Sequence, residues 1–431
     1  MAEKPKILIV GGGAAGLELA TRLGKLLGKK GLAQINLIDA KRTHLWKPLL
    51  HEVASGSMDT GREALSYRAH STEHNYYFHL GTLASLNAEQ QTITLAPLLD
   101  HHGKELLPSR SMDYDYLVLA LGAHGNDFGI TGVRDYCYTL DSYEQAEDFH
   151  LGLLNRFLQF SETATQQEKV KVAIVGGGAT GVELAAELYY TVDRLEQFGV
   201  HKIRHQTLDV TLIEATDRIL PILPEDLSRK AEKTLTDLGA KIKTNVMVKG
   251  VQENLLLTEH ESIEADLIVW AAGVQAPAFL NQQNLPTNRI NQLEVQSTLQ
   301  VKGQQNIYAI GDCAFLLQDN QRPVPATAQA AHQMAKTCAS NICSQINKQT
   351  LQTFTYHDHG ALISLSHFQA LGNLLDQLLK RNWMVEGKVA RMAYASLYRQ
   401  HQYALHGFWK TFWLWLVNLM EKRIKPKLKL Y

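Results

Sequence analysis

The sequence predicts an α/β protein with two separate parallel-sheet domains and a helical tail, on three observations. Lys6–Gly16, KILIVGGGAAG, is an apolar strand running straight into a glycine-rich turn, with a helix-forming run behind it. Lys171–Glu187, KVAIVGGGATGVELAAE, repeats that arrangement more than a hundred and fifty positions later. The end of the chain, Gly387–Tyr431, changes character, becoming aromatic and closing on KRIKPKLKLY.

In the first repeat, Gly11, Gly13 and Gly16 give GxGxxG between strand and helix. The first glycine allows the tight turn, the second lets backbone approach a pyrophosphate, and the third lets helix pack on strand. The pyrophosphate would rest on the helix N-terminus, whose free N–H groups and dipole favour an anion. A second apolar strand, Ile35–Ile38, ends in Asp39, roughly twenty residues beyond the last glycine, where a carboxylate grips a ribose hydroxyl. This is a Rossmann-type unit. Thr43–Gly56, THLWKPLLHEVASG, follows at the ligand-holding edge of the sheet. His79–Leu95 reads as two alternating strands, and Tyr114–Leu121 as a buried strand ending in small residues. Asn126–Thr139 is a loop near the first domain crossing, with helical periodicity from Ser142 to about Gln159.

In the second repeat, Gly176, Gly178 and Gly181 take the same places, and the partner strand Asp209–Ile213 ends in Glu214. A carboxylate there accepts from a free 2′-hydroxyl and repels a 2′-phosphate, which favours NADH over NADPH; Arg218 nearby weakens that preference. Ala265–Gly273 ends another strand in small residues. Asn306–Cys313, NIYAIGDCA, places Asp312 directly after a strand, suited to hydrogen bonding a polyhydroxyl chain such as ribityl. The helix opening at Ala326–Ala335 carries Gln329 and Gln333 on one face, with His332 beside them. In the tail, Leu405, Trp409, Phe412, Leu416 and Leu419 recur at three to four residues, with Trp413 and Trp415 widening the face. That pattern fits an amphipathic helical membrane anchor lying in the interface, its basic end meeting anionic headgroups.

Composition narrows the class. The 43 basic and 43 acidic side chains balance, so charge points to no nucleic-acid partner. The four cysteines, Cys137, Cys313, Cys338 and Cys343, form no CxxC and no metal-like pairing, so no metal site is expected and a reducing compartment is. The first strand starts by Ile7, leaving no expected signal peptide, and no run of about eighteen apolar residues is present to span a bilayer. Two dinucleotide sites imply a flavin and a nicotinamide facing each other, with hydride passing between them. No cysteine precedes Cys137, which removes the redox pair of a disulfide reductase. A lipid-soluble acceptor, a quinone, fits the remaining features best.

GGGAAG, WKPLLHEVASG, GGGATGVELAAEL, VWAAG, YAIGDCA and AQAAHQ, in this order, resemble the type II NADH:quinone oxidoreductases, in particular the proteobacterial respiratory enzymes. The resemblance runs over almost the whole chain. It implies non-covalent FAD, NADH, a quinone acceptor (ubiquinone or menaquinone), no proton pumping, and peripheral attachment to the cytoplasmic face of the inner membrane, with a homodimer as a further expectation. It places Gly11, Gly13, Gly16, Asp39 and Asp312 on FAD positions, with His44 and Pro48 in the flavin-side loop. Gly178, Gly181, Glu183 and Glu214 fall on the nicotinamide side, and Gln329 and Gln333 at the quinone pocket. Gly176, Gly273 and Ala328 join the cofactor-binding set, and Glu183, Gln329 and Gln333 the catalytic one. His332 matches only some members. The expected domains are 1–125 and 285–350 for FAD, 126–284 for NADH, and 351–431 for membrane association. The alternative is a membrane-tethered dinucleotide-sensing flavoprotein with little quinone turnover.

Overall fold

A computed structural model describes residues 4–58, 64–163, 168–197, 202–365, 369–376 and 381–424. The chain divides into two compact units. The first comprises Met1–Trp46, Glu63–His124 and Val274–His357, the second Lys47–Arg62, Gly125–Gly273 and Asp358–Tyr431. The segment 47–62, which the sequence reading kept with the first domain, thus belongs with the second unit.

The first unit is built on a five-stranded sheet in the order Ile307–Ala309, Tyr116–Leu119, Lys6–Val10, Gln34–Asp39, Tyr77–Leu80, with every neighbouring pair parallel. Such strands are buried on both faces and therefore read as unbroken apolar runs; Ile7, Leu8, Ile9 and Val10 are all at most 3% exposed. Helix Ala14–Leu23 leaves the central strand and packs on the sheet with helix Ala328–Ile346. The two strands expected over His79–Leu95 are three: Tyr77–Leu80 in the parallel sheet, then Leu83–Asn87 and Thr92–Leu95 in an antiparallel sheet with Arg110–Asp113. Alternation alone does not show where one strand stops and the chain changes sheets.

The second unit repeats the plan. Its sheet runs Tyr138–Thr139, Leu267–Trp270, Val170–Val175, Leu208–Ile213, Lys241–Lys243, again all parallel. Helix Ala179–Gln197 follows the glycine turn, and helix Tyr143–Thr163 runs on to Thr163, past the expected end at Gln159. The loop expected over 126–139 contains a short helix, Val133–Tyr136, and the edge strand Tyr138–Thr139. A three-stranded antiparallel sheet, Gly360–Leu365, Gln369–Asp376 and Arg381–Glu386, leads into the long helix Gly387–Ile424.

That helix is not continuous. Gly407 adopts φ 75°, ψ 179°, a conformation closed to residues with a side chain and incompatible with helix. The break therefore separates Leu405 from the rest of the expected stripe, Trp409, Phe412, Leu416 and Leu419. Leu405, before the break, is buried, whereas Phe408, Trp409, Trp413 and Trp415 beyond it are exposed. The basic residues Lys425, Lys427 and Lys429 lie outside the described residues.

Candidate functional site

In the first unit the glycine turn is held from three sides. Gly11 has φ +104°, and a Cβ there would strike the Ala120 carbonyl; one on Gly16 would strike the carbonyl oxygen of Gly11. Both positions therefore require glycine, because the turn, the helix and the neighbouring strand touch backbone to backbone. Gly13 is different: nothing lies within 4 Å of where its Cβ would be, and it begins the helix without a side-chain cap. The open space in front of uncapped helical N–H groups fits a pyrophosphate.

Asp39 ties the glycine turn to the end of its own strand. Its Oδ2 accepts from the Gly12 N–H at 2.6 Å and its Oδ1 from the Lys41 N–H at 2.7 Å. The Gly12 carbonyl in turn accepts from the Tyr67 hydroxyl at 2.7 Å and lies 3.0 Å from His44 Nδ1. Burial, then the Asp39 charge, then Tyr76 push the Tyr67 phenol well above its usual range, so it stays a donor. His44 is buried with one ring nitrogen already on the turn.

The same unit gathers the other expected flavin-side residues. Gly311 has φ +73°, and its missing Cβ would lie 3.4 Å from Ala15 Cβ and 3.8 Å from Ala331 Cβ. The Gly311–Asp312 turn thus sits against the openings of both helices. The Asp312 carbonyl accepts from Gln292 Nε2 at 2.8 Å. Ala328 is the first residue of its helix, behind Thr327, whose side chain caps it by accepting from the Ala330 N–H. Gln329 Oε1 accepts from the Tyr356 hydroxyl at 2.6 Å. Gln333 clasps the backbone of His357 twice, donating to its carbonyl at 2.7 Å and accepting from its N–H at 2.9 Å. Both glutamines share one helix face, as the spacing implies, and hold residues 356–357 against it.

In the second unit Gly176, at φ +113°, lies against Ala271, and Gly181 against the carbonyl of Gly176; Gly178 again faces open space. Glu214 repeats the role of Asp39: Oε2 accepts from the Gly177 N–H at 2.7 Å, and Oε1 accepts from the Thr216 N–H at 2.8 Å and its hydroxyl at 2.9 Å. Arg218 donates to the Pro221 carbonyl at 3.1 Å. Gly273, at φ +65°, lies beside the Phe128 ring, and Trp270 donates to the Asn126 carbonyl at 2.8 Å.

Glu183 is buried two residues past Gly181. It accepts from the Ser364 N–H at 3.0 Å through Oε1, and its Oε2 lies 3.5 Å from His51 Nδ1. Burial lowers the His51 pKa to about 4, against an opposing backbone hydrogen bond with Pro48, which sits in the short turn Lys47–Leu49. The ring is therefore neutral near neutral pH. Sequence reading named Pro48 and Glu183 but missed His51, although it stands inside the motif WKPLLHEVASG. Tyr67 and Gly12 were missed as well.

The four cysteines are all free. Burial raises the Cys313 thiol to about 11 and Cys137 to about 12, and pushes Cys338 up further, so none is poised as a thiolate.

Two glycine turns, each tied by the carboxylate of its neighbouring strand, define a flavin- and nicotinamide-dependent oxidoreductase. Residues 5–335 match the family described as pyridine nucleotide-disulphide oxidoreductase. The chain is 48% identical over 441 aligned positions to the type II NADH:quinone oxidoreductase of Haemophilus influenzae, covering 99% of both chains. It is 28% identical over 383 positions to that of Staphylococcus aureus, covering 87% of this chain and 91% of the other. In fold it is similar to NDH2 from Plasmodium falciparum in complex with NADH (TM-score 0.85, 19% identity, all of both chains). It is also similar to the sulfide:quinone oxidoreductase of Aquifex aeolicus (TM-score 0.75, 18% identity, 94% of this chain and 92% of that one). The chain belongs to the type II NADH:quinone oxidoreductases, within the pyridine nucleotide-disulphide oxidoreductase family.

Proposed function

We propose that this chain passes two electrons from NADH through FAD to a membrane quinone without pumping protons, as a respiratory NADH dehydrogenase. The doubled carboxylate-tied glycine turn carries the reading, and 48% identity over 99% of the chain to a type II NADH:quinone oxidoreductase supports it over a dinucleotide sensor. In this reading the first unit binds FAD, with Gly11, Gly13 and Gly16 at the pyrophosphate, Asp39 at the adenosine ribose and Asp312 at the ribityl chain. His44 and Tyr67 hold the turn in shape. The second unit binds NADH, with Gly176, Gly178 and Gly181 at its pyrophosphate and Glu214 at its ribose. FAD held by the first unit's residues would supply the two-electron chemistry that links NADH to the acceptor. Glu183, held by Ser364 and facing neutral His51, presents a fixed carboxylate on the nicotinamide side. Gln329 and Gln333 line the acceptor pocket through the clasped segment 356–357.

Attachment is peripheral, on the cytoplasmic face of the inner membrane. Among the described residues no helix is long and apolar enough to cross a membrane. Beyond Gly407, Phe408 is 62% and Trp409 73% exposed, and aromatic rings of this kind settle at the headgroup boundary. The central test is a visible spectrum of the purified protein. Flavin absorbance bleaches with NADH and returns on adding quinone; a flavin that stays reduced with quinone present overturns the reading.

A further inference from the structure

Helix Ala14–Leu23 carries a buried carboxylate to which the reading above assigns no role. Glu18, two residues past Gly16, is 1% exposed, and its Oε2 meets His332 Nδ1 at 2.5 Å. The His332 side chain is 28% exposed, so the pair joins a fully buried acid to a ring that reaches water. Burial alone does not account for such a pair, because apolar residues of similar volume commonly replace a buried ion pair at no loss of stability. His332 stands three residues after Gln329 and directly before Gln333, on the helix assigned to the acceptor side.

The reaction supplies the reason. Oxidation of NADH by a quinone consumes one proton from solution: hydride brings two electrons and one proton, and the quinol product carries two O–H bonds. Gln329 and Gln333 are amides with no proton to give. Histidine is the side chain suited to take a proton from water and release it near neutral pH. A carboxylate on Nδ1–H fixes the tautomer and ring direction and leaves Nε2 as the working nitrogen.

We propose that His332, positioned by Glu18, delivers the solvent-derived proton to the quinone during acceptor reduction, an inference that rests on the NADH:quinone reading above. Water protonates Nε2. That N–H bond breaks as the quinol O–H forms, its electron pair stays on the imidazole, and the two electrons reducing the quinone originate on NADH. Glu18 gives no proton to the quinone itself and acts on it through His332.

The test uses the full-length, flavin-loaded protein in detergent with two acceptors. A short-chain quinone needs the extra proton, and ferricyanide takes electrons alone. In stopped-flow reoxidation, His332→Gln should lower the quinone-to-ferricyanide rate ratio about a hundred-fold, the low end for general acid catalysis. Added imidazole should restore part of it. The isosteric Glu18→Gln should lower the ratio less, without imidazole rescue. Nitrogen-15 spectra of histidine-labelled protein, assigned with His332→Gln, should show a His332 Nδ1–H signal that moves in Glu18→Gln. Quinone and ferricyanide rates falling together would make the pair structural and overturn the proposal, as would an unchanged ratio in His332→Gln or a His332 ring lacking Nδ1–H. If the unsubstituted protein itself fails to reoxidise with quinone, the NADH:quinone reading falls instead.

Discussion

The Gly177 N–H donates to Glu214 Oε2 at 2.7 Å, so the acid ending one strand is tied to the glycine turn ending the strand beside it. Both carboxylate oxygens serve the protein, Oε2 at Gly177 and Oε1 at Thr216, and this held carboxylate is the group we assign to the ribose. A 2′-phosphate would meet a fixed negative charge that cannot swing away. NADH should therefore be used much better than NADPH. Glu214→Ala should narrow the gap by about ten-fold or more, because setting like charges against each other costs several kcal/mol. Most of the change should come from easier NADPH binding. Steady-state kinetics with both donors decides it, and equal use by the unsubstituted enzyme refutes the assignment.

On the proposed assignment, Asp39 and Asp312 hold the flavin. Asp39→Ala removes both a ribose acceptor and the partner of the Gly12 N–H, so it should lose more FAD than Asp312→Ala. Each substitution is expected to weaken binding by about 1.5–3 kcal/mol. The flavin-to-protein absorbance ratio of purified variants measures this. Full occupancy in both would mean the first turn holds a different ligand.

For the glutamine pair the structure adds a stability term to a kinetic one. Gln333→Leu removes both hydrogen bonds to the exposed His357 backbone, at a cost of about 1 kcal/mol, because water can replace the lost partner. Gln329→Leu removes the acceptor for the Tyr356 hydroxyl. Both should slow flavin reoxidation by quinone while sparing reduction by NADH, and Gln333→Leu should also unfold at lower denaturant. Unchanged reoxidation in both variants would confine the pair to holding residues 356–357.

His51 makes stability depend on pH. Its folded-state pKa is about 4, below the ordinary 6.5. Between those values the unfolded chain binds a proton that the folded chain does not, so stability rises with pH. The contribution is fully present above about pH 6.5 and is lost as pH falls towards about 4, roughly 3 kcal/mol in all. Urea denaturation of the unsubstituted protein and His51→Leu at about pH 7.5 and about pH 5 isolates the effect. Equal losses in both would show that His51 is not responsible.

Deleting residues 407–431 tests the attachment. The truncated protein should remain soluble and flavin-loaded and reduce a water-soluble acceptor with NADH, while using quinone in vesicles poorly. Loss of FAD on truncation would make the segment part of the core; full activity with vesicle quinone would place the attachment elsewhere.

What could be read in the sequence was local. Gly11 to Gly16 and Gly176 to Gly181 lie within single strand–turn–helix passages, and Asp39 and Glu214 each end the next strand of the sheet, so motif and spacing suffice. Tyr67 was not legible, because it reaches Gly12 across 55 positions, and neither was Glu18, whose partner His332 is 314 positions away. Such pairs exist only once sheet order brings distant helices and loops together. In the tail the departure is confined to one position: Leu405 stands before the break at Gly407 and is buried, whereas Trp409, Phe412, Leu416 and Leu419 all follow it, and a period of three to four residues does not show where a helix breaks.

The break at Gly407 also bears on how this protein behaves in a test tube. Past it, Phe408, Trp409, Trp413 and Trp415 show their rings to solvent within a few residues of one another. A patch of that kind, left without lipid or detergent, finds the same patch on other copies. A particle size measured in detergent-free buffer will therefore report stickiness rather than a defined subunit arrangement. Light scattering across a detergent series, read at the plateau, is the measurement that separates the two.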